Sequence, residues 1–115
     1  EGFKVWGCPW SPQSGSPNRG FVTSDADACL LMREIPTDVH VLLTHATDGA
    51  SIVHHCRRRV DPLLHAGGHF HGHHGIEPGA GSQLILCASI CDTFYKPIQP
   101  PIVVDVPRRL GAAKA

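Results

Sequence analysis

The sequence predicts an α/β fold with a mixed β-sheet, and two observations support this prediction. Short β-prone apolar runs recur along the chain, at residues 2–7, 39–43, 63–66, 84–88 and 102–106. Several of these runs lack strict alternation, which is typical of strands that are covered on both faces. Segments with helical apolar spacing separate the first three runs, and strands that alternate with helices are the pattern of α/β proteins.

The first helix is predicted from its end signals. Ser24 is a suitable N-cap, because its hydroxyl can accept a hydrogen bond from a backbone N–H of the first turn. Asp25 and Asp27 favour the positive end of the helix dipole. Pro36 closes the segment, since proline cannot continue a helix.

The second helix is shorter and is predicted from a single apolar face, formed by Ile52, Val53, Cys56 and Val60. Residues 57–59 are three consecutive arginines, interpreted as the solvated C-terminal end of this helix rather than as a phosphate clamp. His54 and His55 have no partner at ligand spacing and are expected at the surface. His65, by contrast, lies within the strand that follows.

The composition narrows the classes of function. A chain of 115 residues suffices for one small domain. Lys and Arg together number 10, as do Asp and Glu, so no net charge indicates a nucleic-acid partner. Apolar runs of about five residues fall far short of the roughly 20 that span a bilayer, so no membrane association is expected. The 5 cysteines form no Cys-x-x-Cys pair, which favours free thiols and a cytoplasmic location.

Histidine is the most unusual component of the chain. Of 9 histidines, five lie in residues 63–75, the histidine segment, where glycines interrupt an apolar run. His69 and His71 alternate, so they share a side on an extended segment but can diverge on a tight turn and serve two metals. His45 directly follows a strand's expected carboxyl end, where α/β sheets bind ligands. Because neutral imidazole readily binds metals, these three residues are the candidate metal ligands.

A two-metal hydrolytic centre usually also contains carboxylates. Three imidazoles suit zinc, iron, manganese or nickel, and paired cations are normally bridged by a carboxylate. The acidic residues near the histidine segment are few, namely Asp48, Asp61 and Glu77. The residues alone therefore predict a metal site but not a complete two-metal centre.

Several blocks of sequence resemble a known family. Val-Leu-Leu-Thr-His at residues 41–45 and Gly-His-Phe-His at residues 68–71 are similar to the last two motifs of the calcineurin-like metallophosphoesterases. The flanking blocks are similar to the C-terminal half of the metallophosphoesterase-domain-containing subgroup; they lie at residues 7–10, 59–65, 88–91 and 97–107. The blocks occur in the same order, which makes the resemblance specific over residues 2–107.

This resemblance implies a fold, a site and an activity. Residues 1–107 would form the C-terminal half of a metallophosphoesterase-type β-sandwich with flanking helices, and residues 108–115 a frayed tail. His45 and His69 would bind the second of two divalent metal ions, and His71 the first. The metals expected are Mn, Fe or Zn. In such enzymes the two ions hold a hydroxide that attacks the phosphorus of a phosphate ester.

The chain also departs from the family. An Asp-x-His, a Gly-Asp and a Gly-Asn-His-Asp normally precede all of these blocks, and none of the three stands ahead of them here. These motifs supply the bridging aspartate and the histidine that protonates the leaving group, so no catalytic residue is assigned and the chain alone is expected to be inactive. Cys87 replaces the subgroup's asparagine, and residues 46–49 replace its Gly-Pro-Pro.

Three other interpretations stay open. The chain can be a non-catalytic remnant of the family that binds metal or a partner, which the missing carboxylates and the additional His73 and His74 favour. The histidine segment also resembles the His-x-His-x-Asp-His of metallo-β-lactamases, although His73 stands at the aspartate position. In the last interpretation the histidines simply line a turn of a structural domain. The sequence predicts neither the natural substrate nor an oligomeric state.

Overall fold

A computed structural model describes residues 2–12, 20–47 and 51–107. The strands are β1 to β7, at Val5–Cys8, Ser11–Pro12, Val22–Thr23, Val41–Thr44, Leu64–Gly67, Gly75–Pro78 and Leu84–Cys87. The helices are α1 (Asp25–Arg33), α2 (Ser51–Val60) and a single 3₁₀ turn at His71–His73. The predicted frayed tail, residues 108–115, lies outside the described residues, as does Asp48.

Five strands form one mixed sheet in the order β1-β4-β5-β7-β6. The first four are mutually parallel, and β6 runs antiparallel to β7. Helix α2 is the crossover between the parallel neighbours β4 and β5, the connection that parallel pairing requires. The predicted α/β class and mixed sheet are confirmed. Besides this sheet, the described ranges contain only the parallel ladder of β2 and β3, so the second full sheet of a sandwich stays a prediction.

The predicted strand at residues 102–106 is wrong. Among the described residues this segment joins no ladder, and Val103 is 90% exposed. A strand needs a neighbour to satisfy its backbone groups, and the prolines at 100, 101 and 107 lack the N–H that pairing uses. Conversely, β6 was not predicted, because Gly75 and Pro78 are poor strand formers. It forms at the sheet edge, where proline is tolerated.

Helix α1 begins and ends with side-chain hydrogen bonds. The Ser24 hydroxyl accepts a hydrogen bond from the N–H of Asp27 at 3.1 Å, which confirms the predicted N-cap. At the other end, Arg59 Nη2 donates to the carbonyls of Met32 at 2.8 Å and Ile35 at 2.7 Å. Arg59 is exposed, as predicted for this helix end, and its guanidinium also caps α1 from the neighbouring helix. Within the described ranges, neither helix has the length and apolar character that crossing a membrane requires.

The two faces of the sheet differ. One face packs with the helices in a core of Cys8, Met32, Ile35, Val39, Leu42, Val53, Cys56 and Val60. The register places two apolar rows on the opposite face, Val5, Val41, Leu64, Leu84 and Pro78, then Gly7, Leu43, Ala66, Leu86 and Ile76. We call this second face the open sheet face, because Val5 is 58% exposed, Leu43 43% and Ile76 46%.

Leu42 and Leu43 provide a matched test of this two-faced sheet. Leu42→Ala is expected to lower the free energy of unfolding by about 2–5 kcal/mol, because it leaves a cavity in the core. Leu43→Ala removes the same atoms from the open sheet face and should cost less than about 1 kcal/mol. Urea denaturation of both variants measures the difference, and equal losses would contradict the assignment of the faces.

Candidate metal centre

The site lies where the parallel strands β4 and β5 end side by side. His45 follows the last residue of β4, and His69 follows β5 after Gly68. The two rings meet beyond the sheet edge, where His45 Nε2 lies 3.1 Å from His69 Nδ1 and the ring centroids are 4.8 Å apart. Two of the three candidate ligands therefore come together at the carboxyl edge of the sheet.

The backbone of this region is tightly constrained. His69 has a φ of 67°, in the left-handed region that residues other than glycine seldom adopt. The Gly68 N–H donates to the carbonyl of His45 at 2.8 Å. A Cβ on Gly67 would lie 3.0 Å from the Thr44 carbonyl oxygen and from the Thr47 backbone nitrogen. Glycine at position 67 thus allows the two strand ends to approach closely.

His71 is held separately from this pair. Its Nδ1 lies 3.0 Å from the carbonyl oxygen of Asp92, which can only accept, so Nδ1 carries a proton and Nε2 is the nitrogen left for another partner. Metal-binding histidines are commonly oriented in this way. The side chain of Gln99 fixes the same residue by donating to the His71 carbonyl at 2.9 Å. Within residues 2–12, 20–47 and 51–107, no three His, Cys, Asp or Glu side chains are grouped closely enough to hold a metal ion.

The surroundings of His69 favour its neutral imidazole. Partial burial lowers its pKa below the usual 6.5, and the neighbouring His45 and His71 lower it further. The ring is therefore neutral at physiological pH. Neutral imidazole offers the lone pair that a metal needs.

The remaining polar residues of the region have other roles. Asp61 accepts a hydrogen bond from Gln83 at 2.7 Å. Glu77 lines a cleft of about 390 Å³ beside the histidine segment, together with Phe70, His73 and His74. The Cys87 thiol is buried and donates to the carbonyl of Phe70 at 3.3 Å, so the residue that replaces the subgroup's asparagine supports the backbone of the histidine segment.

An Asp-x-His spacing does occur in this chain, at Asp38 and His40. It lies at the amino end of β4, opposite the candidate site. There Lys4 Nζ forms a salt bridge with Asp38, and the Lys4 N–H donates to His40 Nδ1 at 3.0 Å. The spacing thus serves to fasten the chain beside β1 and does not contribute to the histidine pair.

A buried hydrogen-bond network lies beneath the site and was not predicted from the sequence. His65 is fully buried, and its Nε2 lies 2.8 Å from the Thr44 hydroxyl. Arg57 Nη1 lies 3.4 Å from His65 Nδ1 and donates to the Thr47 carbonyl at 2.6 Å, while Nη2 lies 2.9 Å from His54 Nδ1. Arg57 is therefore not a solvated helix end, and His54 is not a surface residue without a partner.

The chemistry of these groups fixes where the protons are. Arginine only donates, so His65 Nδ1 accepts and the imidazole is neutral with its proton on Nε2. That proton is donated to the Thr44 hydroxyl, which in turn donates to the Ala46 carbonyl at 2.6 Å. Burial lowers the pKa of His65 to about 4, with the positive charge of Arg57 and nearby His54 acting in the same direction.

The sequence is similar to those of several curated proteins. Human "Metallophosphoesterase domain-containing protein 1" is 31% identical over 122 aligned residues, which cover 92% of this chain and 36% of the human protein. A UPF0046 protein of Caenorhabditis elegans is 27% identical over 132 aligned residues, covering 98% of this chain and 46% of that protein. This chain belongs to the metallophosphoesterase family. It spans between about one third and one half of the length of these two relatives.

Three other comparisons add nothing about the function of the site. A protein of Emericella nidulans named "Probable rhamnogalacturonate lyase C" is 30% identical over 107 aligned residues, which cover 84% of this chain but 9% of that protein. Its name describes a far longer chain and carries no argument about the site. No protein-family model and no solved structure matches this metallophosphoesterase homologue.

The depressed pKa of His65 predicts how stability depends on pH. Above pH 6.5 the ring is neutral in both the folded and the unfolded chain, so its full contribution is present. As the pH falls from 6.5 to about 4, the unfolded chain takes up a proton that the folded chain refuses, so stability falls. The expected loss is roughly 3 kcal/mol.

Urea denaturation of the wild-type chain and of His65→Leu across this pH range measures that loss. The difference in the free energy of unfolding between the two should decrease as the pH falls. A difference that stays constant from pH 7 to pH 4 would show that His65 titrates normally.

Proposed function

We propose that this chain supplies histidine ligands to a metal-dependent phosphoesterase. The observation that carries the proposal is the 3.1 Å separation of His45 Nε2 and His69 Nδ1. Two nitrogens bound to one cation at about 2.0–2.1 Å lie about 2.8–3.4 Å apart at octahedral and tetrahedral angles. The histidine pair therefore fits one divalent cation, with each residue contributing one lone pair.

His71 is proposed to serve a second cation. Its Nδ1 donates a hydrogen bond to the Asp92 carbonyl. The other ring nitrogen, Nε2, is therefore the one proposed to bind the cation. The expected assignment, in which His45 and His69 share one metal and His71 binds another, accords with this separate anchoring. Imidazole ligands suit Zn or Fe, and a mixed set with carboxylates also suits Mn.

Bound divalent cations would polarise phosphoryl oxygens and lower the pKa of a bound water. The proposed role of this chain is to hold neutral imidazoles at the carboxyl edge of β4 and β5. The cleft beside the histidine segment is the proposed place for the phosphate ester, because it adjoins Phe70 between the two ligating positions. Family membership supports phosphate-ester hydrolysis as the reaction class.

The scarcity of carboxylates limits what the chain does by itself. Imidazoles are neutral ligands, so the three histidines offset none of the charge of a divalent cation. The chain alone is thus proposed to bind metal weakly and to hydrolyse little. We propose that residues 1–107 form one part of a phosphoesterase domain. Activity then requires further metal ligands in addition to the histidines of these residues.

Calorimetry with Zn²⁺ on the 115-residue chain tests the ligand assignment. We expect micromolar binding that weakens at least about tenfold in His45→Ala and in His69→Ala, because each substitution removes one of two ligands to the same cation. His73→Ala is the matched control, since it removes a nearby imidazole outside the pair. Unchanged affinity in the first two variants would exclude the pair as a metal site.

Hydrolysis requires a second experiment. This chain can replace the matching segment of the human relative, and turnover of bis(p-nitrophenyl) phosphate with Mn²⁺ is compared with that of the unmodified human protein. We expect turnover that falls at least about 100-fold in His45→Ala, as loss of a metal ligand removes the stabilisation of phosphoryl charge. His73→Ala should retain it.

The same experiment separates the proposed function from its alternative. A chimera that binds metal but does not turn over substrate, beside an active human protein, would favour the non-catalytic metal-binding remnant. Turnover by the chimera would exclude that alternative.

A further inference from the structure

We propose that Arg57, His65 and Thr44 are positioning residues that hold His45 against His69. Residues 44–47, the His45 loop, connect the end of β4 to the rest of the network. The consequence for metal binding rests on the proposed function above. The effect on the loop itself does not, because it follows from hydrogen bonds between groups of this chain.

The need for such a device follows from the exposure of His45. The His45 side chain is exposed and its ring contacts His69, so it is not enclosed by the described core. The position of the ring therefore depends on the backbone of the His45 loop. A displacement of about 1 Å would be enough to spoil a ligand geometry.

The Thr44 hydroxyl fixes the start of the loop. It accepts the proton of His65 Nε2 at 2.8 Å and donates its own to the Ala46 carbonyl at 2.6 Å. The hydrogen bond from Thr44 to the Ala46 carbonyl spans His45 and therefore closes a turn around the backbone of His45. His65 is fully buried in β5 and offers a rigid base for that turn.

Arg57 fixes the far end of the loop. Its Nη1 donates to the Thr47 carbonyl at 2.6 Å, and the same nitrogen lies 3.4 Å from His65 Nδ1. Thr47 is itself buried. A single guanidinium thus joins helix α2, strand β5 and the loop, and its charge keeps His65 in the tautomer that donates to Thr44.

The opposite side of the His45 loop contacts the glycines that precede His69. The Gly68 N–H donates to the His45 carbonyl at 2.8 Å. The lack of a Cβ at Gly67 allows the start of the histidine segment to lie close to the backbone of Thr44 and Thr47. The loop is therefore held between the buried network on one side and the start of the histidine segment on the other.

Thr44 offers a sharp pair of substitutions. Thr44→Val keeps the shape but removes the hydroxyl, which leaves the His65 N–H and the Ala46 carbonyl unpaired. Thr44→Ser keeps the hydroxyl and should restore both bonds. For the other end of the network, Arg57→Met is compared with Arg58→Met, which removes a neighbouring guanidinium that is exposed on the same helix.

The first measurement needs no metal. Hydrogen exchange of the Gly68 amide reports whether the His45 loop stays in place, while the amides of α1 report global unfolding. In Thr44→Val and Arg57→Met, the Gly68 amide should exchange at least about tenfold faster relative to the α1 amides. In Thr44→Ser and Arg58→Met the ratio should match the wild type.

The second measurement is Zn²⁺ affinity by calorimetry. Removing a group that orients a metal ligand typically weakens binding about 10–100-fold, and this is the loss expected for Thr44→Val but not for Thr44→Ser. If Arg57→Met does not fold, the Thr44 pair decides alone. An unchanged Gly68 exchange ratio in folded Thr44→Val would overturn the positioning role. A changed ratio in a chain that binds no Zn²⁺ would support the role and contradict the proposed function instead.

Discussion

The structure of the candidate site depends on the partly buried guanidinium of Arg57. The guanidinium of Arg57 reaches from α2 to a carbonyl of the His45 loop and to the ring of His65 in the central sheet. Because a guanidinium can only donate, each of its hydrogen bonds determines which atom of the partner accepts. The same bonds determine a neutral His65, a donating Thr44 hydroxyl and hence the path of the backbone past His45. The site is therefore supported by polar chemistry rather than by apolar packing.

The main elements of the fold could be predicted because local signals and tertiary structure agree there. Ser24 precedes two acidic residues and caps α1, as its hydroxyl predicts. The apolar runs that form β4, β5 and β7 lie in the middle of the sheet. Local signals and tertiary structure disagree at the edge of the sheet and in the C-terminal segment. The run at residues 102–106 has the composition of a strand but pairs with none of the described strands, while β6 has a poor composition and pairs with β7. Propensity is a weak guide where pairing decides.

The site divides in the same way. The meeting of His45 and His69 could be predicted, because parallel strands end at one edge of a sheet and both residues follow such ends. The support of His71 could not, since it depends on Asp92 and Gln99 from a segment without regular structure. Arg57 was misinterpreted because an arginine in a helix normally faces water. A histidine at position 65 inside an apolar strand was the available signal that a buried polar partner must exist.

The open sheet face bears on how any property of this chain is measured. Two apolar rows lie on it, with Val5, Leu43 and Ile76 substantially exposed. Any molecule that covers such a surface in the folded chain, and not in the unfolded one, stabilises the fold by mass action. The melting temperature is then a function of concentration, detergent and additive as well as of sequence. Values obtained under different solution conditions describe different equilibria, and only those from one condition can be compared.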